Sequence, residues 1–145
     1  AHTDYYPARQ SEYGPVLSSL IDLGLSVTEE SYQALEDLRT QFRDEFDAVI
    51  ADVDVMICPN MPALPPPRAE MLDPSLQDPQ RSDFLTFTAP FDYSGHPTLS
   101  LPVGLSASGL PQSIQLVAAR LQESTLIAAG MGYEQIAGFR QHPID

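Results

Sequence analysis

The chain has 145 residues, enough for one domain or part of one, and 43% of them are hydrophobic, so it can bury a core. Asp and Glu number 20 against seven basic residues, and the resulting net charge of −13 argues against binding to nucleic acid or to anionic membranes. All seven basic residues are arginine, which excludes a phosphate-loop lysine, a Schiff-base lysine and a Ser–Lys catalytic pair within this chain. We interpret the acidity as a source of solubility or as adaptation to salt.

Cys58 is the only cysteine, so an intrachain disulfide is excluded, and the single thiol fits a reducing compartment. No apolar run approaches the roughly 20 residues of a membrane-spanning helix. We therefore expect a cytoplasmic protein. The first residue is Ala1 rather than Met, and we expect the natural N-terminus to lie upstream.

The first half of the sequence predicts helices over about residues 13–50. Apolar residues from Val16 to Leu25 have helical spacing, and Gly24 is a plausible stop. Ser26 and Glu29 have the spacing of a capping box, which predicts the start of a second, longer helix. The apolar residues of this helix fall on one stripe: Tyr32, Leu35, Leu38, Phe42, Phe46, Val49 and Ile50.

The middle of the chain predicts a short buried strand over residues 54–59, followed by a proline-rich loop over 59–80. Prolines at 62, 65–67, 74 and 79 exclude a helix or a central strand there. The loop is either a plain linker or, because it separates elements of one domain, a functional segment.

The last third predicts strands and a final helix over residues 98–137. Residues 84–93 form a short helix or turn, and the runs 98–103 and 113–119 form a hairpin around the turn at 108–111. A last helix from about 122 to 136 should bury Leu126, Ile127 and Tyr133. Helix, strand, loop, hairpin and helix together predict the α/β class.

The residues alone provide no complete catalytic set. The spacing of Gly104 and Gly109 fits a phosphate loop, but the required Lys-Ser/Thr does not follow. The three histidines, at positions 2, 96 and 142, lack metal-ligand spacing, and no G-x-S-x-G motif is present. We interpret His96 as a structural or pocket-wall residue and Cys58 as a small hydrophobic residue.

An ordered series of short motifs runs through the chain. It consists of Tyr13-Gly14-Pro15, the strand 54–59 with Pro62, the segment 87–92, Gly95-His96-Pro97, residues 99–104, Gly109-Leu110-Pro111, Gln115-Leu116-Val117, Glu123, Leu126 and Tyr133-Glu134. In order and spacing the series resembles the C-terminal part of amidase-signature family hydrolases. Three positions depart from the usual pattern, namely Asn60, Asp92 and Ser113, which often are threonine, asparagine and glycine.

The resemblance implies the C-terminal portion of the amidase-signature fold, a mixed β-sheet with flanking helices, as a single partial domain over residues 1–145. Family members hydrolyse amide bonds with a nucleophilic serine, a second serine and a lysine, without metal or organic cofactor. That machinery lies upstream of this chain, so we assign no catalytic residue here. By position, the pocket-wall candidates are Asn60, Met61, Leu85, Thr88 and Ala89, and ordinary packing is the alternative for each.

We therefore expect a C-terminal fragment of an amidase, inactive alone, whose intact form binds a small-molecule amide. Two alternatives stay open: a non-catalytic acidic binding or assembly module, and one component of a glutamine-hydrolysing amidotransferase. Because a partial sheet should expose apolar surface, we expect self-association or binding to the missing N-terminal part. We expect no nucleic-acid and no membrane partner.

Overall fold

The computed structural model describes residues 2, 4–68 and 83–138, which form two compact units. The first unit takes residues 1–37 and 67–81, and the second takes 38–66 and 82–145, as far as these are described. Residues 69–80 of the predicted proline-rich loop and His142 lie outside the described residues. A single partial domain over 1–145 stays a prediction.

The elements follow the predicted order. The helices are α1 (Tyr6–Arg9), α2 (Pro15–Leu25), α3 (Glu29–Ile50), α4 (Ala89–Ser94) and α5 (Glu123–Ala137), with 3₁₀ turns at Gln10–Glu12 and Asp83–Leu85. The strands are β1 (Met56–Pro59), β2 (Thr98–Leu105) and β3 (Pro111–Val117). This arrangement confirms the α/β class. No helix in the described ranges combines the length and apolar character that a bilayer-crossing segment needs.

The first unit is organised around Tyr6, which is buried. The single proton of its hydroxyl is shared between the Ser18 carbonyl at 3.1 Å and Asp22 Oδ1 at 2.9 Å, both on α2. The Tyr13 ring packs edge-on against it, with 5.2 Å between centroids. These bonds satisfy the phenol that burial removes from water and attach α1 to α2.

Helix α3 begins two residues later than the capping box predicts. The Ser31 N–H donates to Thr28 Oγ1 at 3.1 Å, so Thr28 acts as the cap. The Ser26 hydroxyl instead donates to the Leu23 carbonyl at the end of α2. The predicted cap at Ser26 is therefore wrong, because Ser26 terminates the preceding helix rather than starting the next one. Gly24 lies inside α2, which ends at Leu25.

Strand β3 is the centre of a three-stranded sheet in the second unit, in the order β1-β3-β2. Both pairings are antiparallel, with Cys58 and Ser100 opposite Gln115 on the two sides. The predicted hairpin is therefore confirmed, and its register shifts between Pro102 and Gly104. Any parallel strand of the expected mixed sheet would have to come from outside the described residues.

Each face of this sheet packs on a different set of helices. On one face Leu126 of α5 packs with Leu101 and Leu116. On the other face Val117, which is fully buried, packs with Ile50 and Phe91, from α3 and α4. Alternation along β3 therefore directs neighbouring residues to opposite cores, as its period of two requires.

Three burial predictions differ from the structure. The strand that was expected to be buried, β1, has no fully buried residue, and its Ile57 is 62% exposed. Leu126 is 3% exposed as expected, but Ile127 is 58% exposed, because α5 contacts the sheet along a narrow stripe. On α3, Ile50 is buried while Tyr32 and Val49 are more than half exposed, so the apolar stripe is covered only in part.

Candidate functional site

A row of polar side chains lies on the α3 and α4 face of the sheet. Asn60 follows directly after β1 and bridges to the other two strands. The Ser100 hydroxyl on β2 donates to Asn60 Oδ1 at 3.2 Å, and Asn60 Nδ2 donates to Ser113 Oγ on β3 at 3.1 Å. We call Asn60, Ser100 and Ser113 the polar row. It presents an amide and two hydroxyls, which can both donate and accept hydrogen bonds.

Gln115 continues this face toward the buried end of the sheet. It is 2% exposed and stands opposite Cys58 and Ser100 in register. Its Nε2 donates to the Phe87 carbonyl and lies 3.3 Å from Cys58 Sγ. The residue therefore connects the sheet to the segment that precedes α4. Cys58 is half-buried and packs with the apolar core around Val117, as the prediction of a small hydrophobic residue required.

The segment over residues 85–89 is a run of tight turns. The Thr88 N–H donates to the Leu85 carbonyl at 3.1 Å, and the Thr88 carbonyl accepts from Phe91 N–H at 3.1 Å. Thr88 and Ala89 are half-buried, whereas Leu85 is 53% exposed. The predicted pocket-wall residues of this segment therefore differ in their surroundings.

Two arginines of α3 hold the far end of α4. Arg39 Nε donates to the Tyr93 carbonyl at 2.7 Å, and Arg43 Nε donates to the Ser94 carbonyl at 3.2 Å. Gly95 takes a left-handed conformation, with φ 78°, and its N–H closes the helix on the Phe91 carbonyl. Positive charge at the carbonyl end of a helix is favourable, so this arrangement stabilises a six-residue helix that would not persist alone.

Buried His96 connects α4 to α3. Its Nδ1 lies 2.9 Å from the Ser94 hydroxyl, and its Nε2 lies 3.0 Å from Asp47 Oδ1, although that nitrogen is not aligned for a hydrogen bond. The Asp47 carboxylate also accepts two bonds from Arg120, at 2.6 and 3.1 Å. Ser94 has no exposed surface, so this Ser–His–Asp series cannot meet a substrate and serves packing. His96 is thus structural, one of the two roles predicted for it.

Two electrostatic effects act in opposite directions on the pKa of His96. Burial lowers the pKa of His96, while the neighbouring Asp47 carboxylate acts to raise it. The hydrogen bond from Arg120 lowers the pKa of Asp47. Asp47 is therefore an anion at neutral pH, and His96 is a neutral ring wedged edge-on against Phe46 at 4.5 Å between centroids.

Comparison with known proteins identifies the family. The sequence profile described as Amidase matches residues 2–127. The chain belongs to the amidase family. It is 35% identical over 142 residues to the protein named "Putative amidase AmiD" of Mycobacterium tuberculosis, covering 97% of this chain and 30% of that protein.

Two further comparisons support the assignment to this family. The chain is 33% identical to one of the subunits of glutamyl-tRNA(Gln) amidotransferase from Picosynechococcus, over 94% of this chain and 29% of that protein. A crystal structure of an amidase matches with a TM-score of 0.80 and 26% identity, over 94% of this chain and 32% of that one. The amidase-signature fold is therefore confirmed. The chain spans about 30% of the length of these relatives.

The five predicted pocket-wall residues lie on two segments of this amidase chain. Asn60 is part of the polar row. Gln115 contacts both Cys58, two residues before Asn60, and the carbonyl of Phe87, which precedes Thr88. Met61 is 43% exposed. None of the five lines the cleft of about 530 Å³ at the end of α5 or the cleft in the first unit. Their role in a substrate pocket stays a prediction.

Sequence reasoning missed Ser100, Ser113 and Gln115 as a group. The sequence does contain a signal for this face, because polar and apolar residues alternate in both predicted strands. Ser100 lies between Leu99 and Leu101, and Ser113 and Gln115 flank Ile114. Alternation alone places them on one face. It does not show that Asn60 reaches across both strands.

Proposed function

We propose that this chain forms the C-terminal part of an enzyme that hydrolyses carbon–nitrogen amide bonds. The observation that supports the proposal is the match to the amidase family over residues 2–127 of 145. The chain itself contains no lysine. The resemblance to amidase-signature hydrolases implies that the serine nucleophile, the second serine and the lysine of the mechanism lie in the upstream part. This chain alone would therefore be inactive.

The contribution of this chain would be one side of the substrate pocket. The polar row offers hydroxyl and amide groups, the chemistry that orients an amide substrate in an otherwise apolar pocket. The Thr88–Ala89 segment would form the neighbouring wall, with Met61 and Leu85 as apolar surface at its edge. The reaction would require neither a metal nor an organic cofactor, and the enzyme would work in the cytoplasm.

A second candidate is the glutamine-hydrolysing component of an amidotransferase. The observation that favours it is the 33% identity, over 94% of the chain, to the glutamyl-tRNA(Gln) amidotransferase protein of Picosynechococcus. Such a component would release ammonia from glutamine and would depend on a partner protein. A self-sufficient amidase would act on other amides without one.

The test is an assay of the purified gene product that carries this sequence, with a panel of small aliphatic and aromatic amides and glutamine. We expect release of ammonia or amine from at least one amide, and none from the 145-residue chain alone. Activity restricted to glutamine, together with a copurifying partner protein, would favour the amidotransferase. No hydrolysis of any amide would favour the non-catalytic binding module and contradict the proposal.

A further inference from the structure

Gln115 is a buried polar side chain at the centre of the sheet, and the mechanism assigned upstream does not use it. It lies on the middle strand with only 2% of its surface exposed. Burying an amide costs free energy unless hydrogen bonds replace those lost with water. A leucine or valine at this position would avoid that cost. The contacts of the amide therefore indicate what a polar side chain contributes there.

Those contacts join two segments that also meet in the apolar core around Val117. Nε2 donates to the main-chain carbonyl of Phe87, immediately before Thr88, and lies 3.3 Å from Cys58 on β1. Cys58 is two residues before Asn60 of the polar row. One side chain therefore reaches both proposed walls of the substrate pocket.

The segment that receives this bond has little regular structure of its own. Residues 83–85 form one 3₁₀ turn and residues 89–94 a helix of six residues. Arg39 and Arg43 hold the far end of that helix through the Tyr93 and Ser94 carbonyls. The hydrogen bond from Gln115 attaches the near end to the sheet.

We propose that Gln115 is a positioning residue that sets the spacing between the polar row and the Thr88–Ala89 segment, and so the fit of the amide substrate between them. The inference rests on the proposed amide hydrolysis. Gln115 does not touch the reacting atoms, and its effect is exerted through the Phe87 carbonyl. Loss of the bond should therefore weaken substrate binding more than it slows the chemical step.

The main variant is Gln115→Met, which keeps the length of the side chain and removes the donor. Gln115→Glu is the second variant, because it keeps the shape but turns an acceptor toward the Phe87 carbonyl. Gln112→Met is the matched control, since Gln112 lies on the same strand and is exposed. All three are made in the gene product that carries this sequence.

For Gln115→Met we expect KM for the hydrolysed amide to rise roughly 5- to 10-fold, the effect of one lost buried hydrogen bond, with kcat within about 2-fold. Peptide-resolved hydrogen exchange should accelerate over residues 85–91 and stay unchanged over 96–101. Gln115→Glu should also raise KM and accelerate exchange over residues 85–91. Gln112→Met should change neither KM nor the exchange rate.

The outcomes separate this inference from the proposed function. If the unmodified protein hydrolyses amides but Gln115→Met leaves KM and local exchange unchanged, the positioning role is wrong and the amidase function stands. If the unmodified protein hydrolyses no amide, both are wrong. Faster exchange throughout β2 and β3 in both Gln115 variants would show a general structural role and would also overturn the inference.

Discussion

At the scale of single residues, His96 is a buried titratable group surrounded by side chains from three parts of the chain. Asp47 and Arg43 approach the ring from α3, Arg120 from the connection after β3, and Ser94 from α4. The Gly-His-Pro setting in the sequence predicts a structural or pocket-wall role for His96. Sequence reasoning could not find Asp47, which is 49 positions away and looks like any acid on a solvated helix.

The neutral state of His96 predicts how stability changes with pH. An unfolded histidine titrates near pH 6.5, whereas burial lowers the pKa in the folded chain, so the unfolded state binds more protons as pH falls below about 6.5. The free energy of unfolding should therefore decrease from pH 7 to pH 5, by up to about 1.4 kcal/mol per pH unit. Asp47, whose pKa is lowered, remains ionised in this window and loses its contribution only at lower pH.

Urea unfolding at pH 5, 6, 7 and 8 measures this dependence. His96→Gln should remove most of the loss between pH 7 and 5, because the substitution removes the buried titratable ring. An equal pH slope in the unmodified chain and in His96→Gln would show that other groups cause the change.

At the scale of elements, the sequence predicts nearly every helix and strand but not how they pack. The hydrophobic periods identify α2, α3, the hairpin and α5, since those patterns are local. The predicted cap of α3 was wrong, because the cap position depends on where the preceding helix ends. The predicted burial of Ile127 was wrong, because burial depends on which element packs against the helix. The bridge from Asn60 to β2 and β3 requires the sheet order, which no local pattern contains.

The packing of α5 on β2 gives a prediction of its own. A Cβ on Gly130 would lie 2.5 Å from Leu99 Cδ2, whereas a Cβ on Gly132 would meet nothing within 4 Å. Gly130→Val should therefore lower the free energy of unfolding by about 1 kcal/mol, because the end of the Leu99 side chain must move. Gly132→Val should change it by less than about 0.5 kcal/mol, since valine is no worse in a helix than glycine. Thermal or urea unfolding measures both, and equal losses would contradict the close approach of α5 to Leu99.

At the scale of the whole molecule, many large apolar side chains of the described residues are exposed. Large side chains of α2 are about half exposed: Leu17 is 45%, Leu20 is 44% and Leu23 is 57% exposed. Exposed apolar patches mark interaction surfaces. The exposed leucines of α2 are consistent with the length of the chain, which spans only about 30% of its relatives.

We accordingly expect the 145-residue chain to self-associate. Sedimentation velocity should show a weight-average mass that rises with concentration. Leu23→Asp should weaken the association, and Ser19→Asp, an equal charge at an exposed position of the same helix, should do so less. A monodisperse monomer with a cooperative, high-temperature unfolding transition would contradict this expectation.

In the proposed enzyme, this chain would shape the amide pocket and another part of the protein would supply the nucleophile. The most direct test treats the gene product that carries this sequence with a serine-reactive fluorophosphonate and identifies the labelled residue by peptide mass spectrometry. We expect one dominant labelled serine outside these 145 residues, and we expect an amide that the enzyme hydrolyses to block the labelling. Dominant, substrate-protected labelling of Ser100, Ser113 or any other serine of this chain would contradict this expectation.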